Sequence, residues 1–132
     1  MILSGRSIFG GHADGRTLVS GEPISFFGGV DPETGVVIEA GHPLEGRSIA
    51  GTILVLPHAK GSTVGSYVLY RLGAGGVAPR AIVVGACDPV VAAGVILAEI
   101  PCIDGLETDR IPDGAAARVD ADAGVIEIEG GD

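Results

Sequence analysis

Apolar residues are densest in the middle of the chain. Residues 51–56 (Gly-Thr-Ile-Leu-Val-Leu) form a near-continuous apolar run, the pattern of a strand covered on both faces. Pro57 is expected to end it. Beyond Lys60 and Gly61, Val64, Val68 and Leu72 recur at i, i+4 and i+8, with Leu69 beside them; that is helical spacing. Ser62 or Thr63 is placed to cap this helix, and Gly73 to stop it. Residues 81–84 read as a second buried strand. Asp88-Pro89 combines an N-cap with proline at the first helical position, so a second helix is expected over 90–98. Pro101-Cys102-Ile103 reads as a third short strand.

The flanks alternate over shorter stretches. Residues 16–20 and 36–39 are strand candidates, separated by Gly28-Gly29 and Asp31-Pro32, which mark a loop of demanding backbone geometry. At the C-terminus, residues 116–119, a turn over 120–124 and residues 125–129 predict a hairpin. Ile126 and Ile128 lie on one of its faces, Glu127 and Glu129 on the other. The strand–helix–strand–helix–strand centre implies a parallel sheet with two crossover helices. The flanking strands imply a second layer of short β-strands. The expected class is α/β, with β/β/α layering in one domain over residues 1–132.

Composition narrows this picture. Hydrophobic residues make up 46% of the 132 residues and aromatics 4%, with no Trp; the core therefore rests on Val, Ile, Leu and Ala. The 23 glycines follow no three-residue period, which excludes collagen. No signal-peptide pattern opens the sequence and no apolar run has the length of a membrane span, so a cytoplasmic location is expected, without membrane association. Cys87 and Cys102 form no CxxC motif, and His12, His42 and His58 are scattered. No zinc pattern results, and both cysteines read as small buried apolar residues.

The net charge of −9 argues against nucleic-acid binding. Its distribution is uneven. Residues 1–87 carry six acids and six bases, whereas 88–132 carry eleven acids and two bases. Between Gly46 and Cys87 there is no acid, while Arg47, Lys60, Arg71 and Arg80 are basic. Such a segment points to a small anionic ligand or an acidic partner surface. Chance together with burial explains it equally well.

One place suggests chemistry. A buried strand, a loop and then Ser62 at a helix start aim backbone N–H groups at whatever sits beside the serine, and Lys60 adds a cation in sequence. The helix end supplies roughly 0.3–2 kcal/mol, about one unit at about 1.36 kcal/mol per pKa unit. A serine hydroxyl lies many units above neutrality, so Ser62 is no base unaided, and further donors or a metal must complete the site. A plain N-cap serine accounts for the spacing as well. Lys60-Gly61-Ser62-Thr63 lacks the order of a phosphate loop, and no GxSxG elbow is present. His58 lies near Ser62 without an identifiable third triad member and reads as a loop residue.

Four stretches together carry a resemblance. They are Ser25-Phe26-Phe27-Gly28-Gly29-Val30-Asp31-Pro32-Glu33-Thr34-Gly35, His42-Pro43-Leu44-Glu45-Gly46-Arg47-Ser48-Ile49, Lys60-Gly61-Ser62-Thr63-Val64-Gly65-Ser66-Tyr67 and Val77-Ala78-Pro79-Arg80-Ala81-Ile82. In this order the chain resembles the small, swivelling-domain component of aconitase X over residues 20–106. The Gly-Ser-Thr-Val-Gly-Ser form is similar to that of the archaeal two-subunit members, which dehydrate (R)-5-phosphomevalonate to trans-anhydromevalonate 5-phosphate on a mevalonate route to isoprenoids. Bacterial cis-3-hydroxyproline dehydratases tend to carry Gly-Ser-Cys-Thr-Gly-Ser there.

The resemblance implies a swivelling β/β/α domain that works as part of a hydro-lyase. It implies Ser62 as the catalytic proton acceptor, with Lys60, Gly61, Thr63, Gly28 and Gly29 near the substrate. It also implies a [4Fe–4S] cluster that takes the leaving hydroxyl. Such a cluster takes three protein cysteines when one iron is left open, and this chain has two. A large catalytic subunit is therefore the expected partner and the holder of the cluster, and no metal is expected in this chain. One position departs from the family pattern: the usual Pro-Arg-Gly-Lys-Gly-Ser-Thr is here Pro57-His58-Ala59-Lys60-Gly61-Ser62-Thr63. An aconitase X-type dehydratase of another hydroxy acid, a phosphocarrier-like swivelling module and a non-catalytic assembly module stand as alternatives.

Overall fold

In a computed structural model of the chain, residues 1–59 and 61–129 are described. Two parallel strands form the centre, β4 (Ile53–Ala59) and β5 (Ala81–Cys87), paired from Ile53↔Ala81 to Ala59↔Cys87. Residues 53–56 and 81–84 are buried on both faces, which is why the sequence there is continuously apolar. A third strand, β6 (Cys102–Asp104), runs parallel to β5. Helix α2 (Thr63–Ala74) connects β4 to β5, and helix α3 (Pro89–Ala98) connects β5 to β6. Ser62 caps α2. Asp88 caps α3, its Oδ1 accepting from the Val91 amide at 2.9 Å.

The period of two sorts the core. Leu54, Leu56, Ile82 and Val84 face the helices. Ile53, Val55, Ala81 and Val83 face the other way, against Val119, Ile126 and Ile128. Those last residues belong to β7 (Ala116–Asp120) and β8 (Val125–Ile128), an antiparallel hairpin. Strand β3 (His12–Val19) joins the two β layers. Its first residues pair antiparallel with β7, and Thr17, Leu18 and Val19 pair parallel with β4. Each fully buried Val, Leu or Ile in these layers contributes about 1.5–3 kcal/mol. The β/β/α layering expected from the sequence is the observed one.

Two short strands complete the sheet. β1 (Ile2–Ser4) pairs with β8, and β2 (Arg6–Phe9) pairs with β6. The strand order is β1-β8-β7-β3-β4-β5-β6-β2. Its two ends are consecutive in the chain, joined by Gly5 alone, so the sheet curls until its edges meet. The Gly5 amide donates to the Gly124 carbonyl at 2.7 Å and so extends the β1–β8 ladder up to that seam.

Several local expectations are corrected. Pro57 does not end β4, and His58 is a strand residue paired with Ala86 rather than a loop residue. The β3 pairing stops at Val55, so the side of β4 next to Pro57 is an edge, where a missing N–H is tolerated. Residues 36–39 form no strand: Val37 bridges Val30 and Val36 bridges Ser48, while the Ile38 and Glu39 amides both donate to the Gly29 carbonyl. α2 passes through Gly73, and Gly75 is its C-cap. A Cβ on Gly73 would lie 3.2 Å from the Ala98 carbonyl oxygen, so that glycine serves helix–helix contact rather than termination.

Candidate functional site

Ser62 follows the carboxyl end of β4 and has extended backbone (φ −116°, ψ 171°), as an N-cap requires. Its Oγ accepts from the Gly65 amide at 3.2 Å. Gly61, Ser62 and Thr63 are all exposed. The Thr63 and Val64 amides lie in the first turn, where a helix offers them no acceptor. The end of α2 thus presents a hydroxyl, free N–H groups and a partial positive charge to the outside.

Neighbouring segments fix this end. The Gly61 amide donates to Asp88 Oδ2 at 3.4 Å, and the Asp88 amide donates to the Ala59 carbonyl at 3.0 Å. A Cβ on Gly61 would stand 3.0 Å from Val91 Cγ2, so glycine lets the loop lie closely on α3. Gly28 and Gly29 belong to a kinked helical turn, α1 (Phe26–Gly29), which packs against α2. A Cβ on Gly65 would lie 3.7 Å from the Phe27 amide nitrogen. The structure therefore brings Gly28 and Gly29 to the same helix end as Gly61, Ser62 and Thr63. Gly28 is required for its φ of +79°; Gly29 leaves room for Glu39, whose Oε1 would be 2.8 Å from an added Cβ. His58 is exposed and lines a hollow with Pro23, Ile24, Ser25 and Glu39.

Arg71 and Arg80 of the basic segment do not gather at Ser62. Lys60 lies outside the described residues. Arg71 is in the last turn of α2, at the opposite end from Ser62. Arg80 precedes β5, at the amino end of the parallel strands, beside Gly15. The sequence reading missed a cation on the right side. Ala59, Cys87 and Asp104 end β4, β5 and β6, the end where α/β sheets place their sites. There Arg6 Nε and Nη2 donate to Asp104 Oδ1 and Oδ2 at 3.0 and 2.9 Å. Asp104 is buried and Arg6 is 72% exposed. The hydrogen bond to Asp104, and then its charge, raise the Arg6 guanidinium above its ordinary pKa. The pairing spans 98 residues, so no local pattern announces it.

Cys87 and Cys102, remote in sequence, are brought together. Interaction with the Cys102 thiol lowers Cys87, and the same interaction together with burial raises Cys102 well above the ordinary thiol value, while Cys87 Sγ donates to the Asp88 carbonyl at 3.6 Å. Cys102 is buried as expected, but Cys87 is only partly so. Two thiols, one of them buried, do not fit a cluster that needs three protein thiolates. Among the described residues, His12, Asp120 and Asp122 offer ligand atoms within 4.8 Å of one another. They lie at the opposite end of the parallel strands from Ser62, and the imidazole turns one nitrogen to each carboxylate, at 3.2 and 3.7 Å. No helix is long and apolar enough to cross a membrane among the described residues.

Known proteins resemble this chain along nearly its whole length. The chain is 52% identical over 128 residues to the phosphomevalonate dehydratase small subunit of Thermococcus kodakarensis, covering 97% of this chain and 96% of that one. It is 50% identical to the protein of the same name from Thermococcus onnurineus, covering 98% and 99%. The crystal structure of Thermococcus kodakaraensis aconitase X in its holo form superposes with a TM-score of 0.94 over 97% of this chain and 98% of that one, at 52% identity. The family model of the aconitase X swivel domain matches residues 2–128. With nearly its whole length matched in sequence and in fold, the chain belongs to the aconitase X swivel-domain family.

Proposed function

We propose that this chain is the small subunit of a cytoplasmic phosphomevalonate dehydratase, and that Ser62 accepts the proton removed from (R)-5-phosphomevalonate. Near-complete likeness to small subunits of that name carries the assignment. The exposed, capped position of Ser62 supports the role given to it.

In this reading the small subunit supplies the base side of the reaction. Ser62 takes the proton from the carbon next to the one bearing the hydroxyl. The C–H electron pair becomes the double bond, the C–O bond breaks, and the departing hydroxide becomes water with the proton that the Ser62 hydroxyl gives up on returning to its alkoxide, giving trans-anhydromevalonate 5-phosphate. The Gly65 N–H, already 3.2 Å from Oγ, supports negative charge on that oxygen. The free first-turn amides of Thr63 and Val64 and the exposed backbone at Gly28 face the substrate's anionic groups, while Gly61 and Gly29 shape the loops that hold them. The helix end accounts for about one pKa unit, so the remaining donors, and the exclusion of water that strengthens them, come from the large subunit. The iron–sulfur cluster also belongs to that partner, since this chain's thiols do not fit it.

The test is the co-expressed pair, assayed anaerobically for conversion of phosphomevalonate, with cis-3-hydroxyproline as the competing substrate. Ser62→Ala is expected to assemble with the large subunit and lose turnover by several orders of magnitude. A Ser62→Ala complex with wild-type turnover removes the base role. Dehydration of hydroxyproline in place of phosphomevalonate removes the substrate assignment.

A further inference from the structure

Helix α3 reads Pro-Val-Val-Ala-Ala-Gly-Val-Ile-Leu-Ala and carries no polar side chain. A helix apolar on every side belongs in an interior. Yet only Val91, Gly94 and Val95 of α3 are buried, and Leu97 is 66% exposed. α2 adds Tyr67, 61% exposed, with its ring centroid 6.2 Å from that of Tyr70. Of the nine exposed large apolar side chains among the described residues, seven stand on α1, α2 and α3. Soluble monomers scatter such residues; a gathered patch marks an interaction site.

Between α2 and α3 runs an open groove of about 670 Å³. Tyr67, Tyr70, Val90 and Leu97 form its walls, and Thr63 and Ser66 line its end toward Ser62. The groove is preformed. A Cβ on Gly94 would stand 3.0 Å from Ser66 Cα, so the helices already cross at contact distance. Ser66 Oγ also donates to the Val90 carbonyl, locking the crossing.

We propose that this groove seats the large subunit, which inserts a bulky aliphatic or aromatic side chain between Tyr67 and Leu97. The inference rests on the small-subunit reading above and adds the surface through which the subunits join. Continuity selects the occupant. Thr63 and Ser66 line the groove and stand one and four residues from Ser62, so a chain that closes over Ser62 covers the groove as well. The chemistry agrees: there is no acid between Gly46 and Cys87 and none in α3, so the groove asks for an apolar partner surface, not a basic one.

The experiment measures affinity for the separately purified large subunit by isothermal titration under anaerobic conditions. Leu97→Glu and Tyr67→Glu alter exposed side chains, and unchanged circular dichroism and Tm of the isolated variants confirm their fold. Each is expected to weaken association about 30-fold or more, as for the loss of a central interface residue, while Leu97→Met binds as wild type. At saturating small subunit, Leu97→Glu recovers most of the turnover, whereas Ser62→Ala assembles and stays silent; failure of the docking inference and failure of the catalytic reading are thus distinct. Wild-type affinity in both glutamate variants overturns the proposal. So does an isolated chain whose self-association is abolished by Leu97→Glu while large-subunit binding is untouched, since the occupant is then a second copy.

Discussion

The Gly61 amide and the Asp88 carboxylate, 3.4 Å apart, tie the loop before Ser62 to the cap of the following helix. Asp88 also accepts from the Val91 amide at 2.9 Å and donates its own amide to Ala59. One side chain therefore starts α3 and positions the loop that starts α2. The sequence marks Asp88 as a cap, since Asp-Pro is a helix-start signal. Its hold on Gly61 follows only from β4 and β5 lying side by side.

Asp88→Ala removes cap and tether together. The cap is worth about 1 kcal/mol, which lowers Tm by ~4 °C for a domain of this size. Turnover of the assembled enzyme falls as well, because the Ser62 loop loses its fixed point. Asp88→Asn keeps one carbonyl oxygen, which can cap the Val91 amide, but turns an NH2 toward the Gly61 amide; it therefore retains most of the stability of the cap while turnover still falls. Urea unfolding and kcat of the three proteins check this; wild-type turnover in the Asn variant contradicts the tether.

Ser62 combines a structural and a chemical role, and two substitutions separate them. Ser62→Ala loses the bond to the Gly65 amide and costs about 1 kcal/mol of stability. Ser62→Asn is as good an N-cap, so its Tm stays at the wild-type value while turnover is still lost. If Ser62→Asn restores both Tm and turnover, the serine acts as a cap alone.

The parts of this fold that were legible in the sequence are those whose signals are local. Doubly covered strands leave continuous apolar runs, as at residues 53–56 and 81–84, and helix starts need the particular side chains Ser62 and Asp88. The three-residue strand β1 and four-residue strand β2 are too short to show a period, and their partners lie about a hundred residues away. The place of Arg6 at the carboxyl end of the parallel strands was unreadable for the same reason: Asp104 fixes it. The basic run between Gly46 and Cys87 misled in the opposite sense. Arg71 and Arg80, close to Ser62 in sequence, were carried away from it by a helix and a strand.

The Cys87–Cys102 pair predicts unequal thiol chemistry. Interaction with the Cys102 thiol lowers Cys87, which is half-buried, while the same interaction and burial raise Cys102 well above the ordinary value of 9.0. Iodoacetamide near neutral pH should therefore label Cys87 first and Cys102 only on unfolding; mass spectrometry of the labelled peptides reads the order. Stability follows with opposite signs. The contribution from Cys87 is present above the ordinary thiol value and is lost as pH falls through its lowered folded value. The contribution from Cys102 is complete below the ordinary value and is lost as pH rises from 9.0 through its raised folded value. Urea titrations above pH 9 should show a downward slope that Cys102→Ala reduces. Identical slopes in the two proteins exclude the raised thiol.

Closure of the sheet depends on Gly5. It is the single residue between β1 and β2, which form the two ends of the strand order. A Cβ there would land on the Asp104 carbonyl oxygen and within 3.0 Å of Leu106 Cγ. The carbonyl belongs to the β6 backbone, so it cannot turn aside as a side chain does. Gly5→Ala must push the seam open or displace β6, at about 1–3 kcal/mol as for an overpacked core. Gly41 supplies the control. Its φ is +76° and an added Cβ meets nothing within 4 Å, so Gly41→Ala bears only the left-handed backbone cost of roughly 1–2 kcal/mol. The two variants are told apart by hydrogen exchange. Gly5→Ala should speed exchange at the Gly5 amide, bonded to Gly124, and along β1 and β8, whereas Gly41→Ala leaves that seam protected. A Gly5→Ala protein with a wild-type Tm and a protected seam contradicts a sheet closed through this residue.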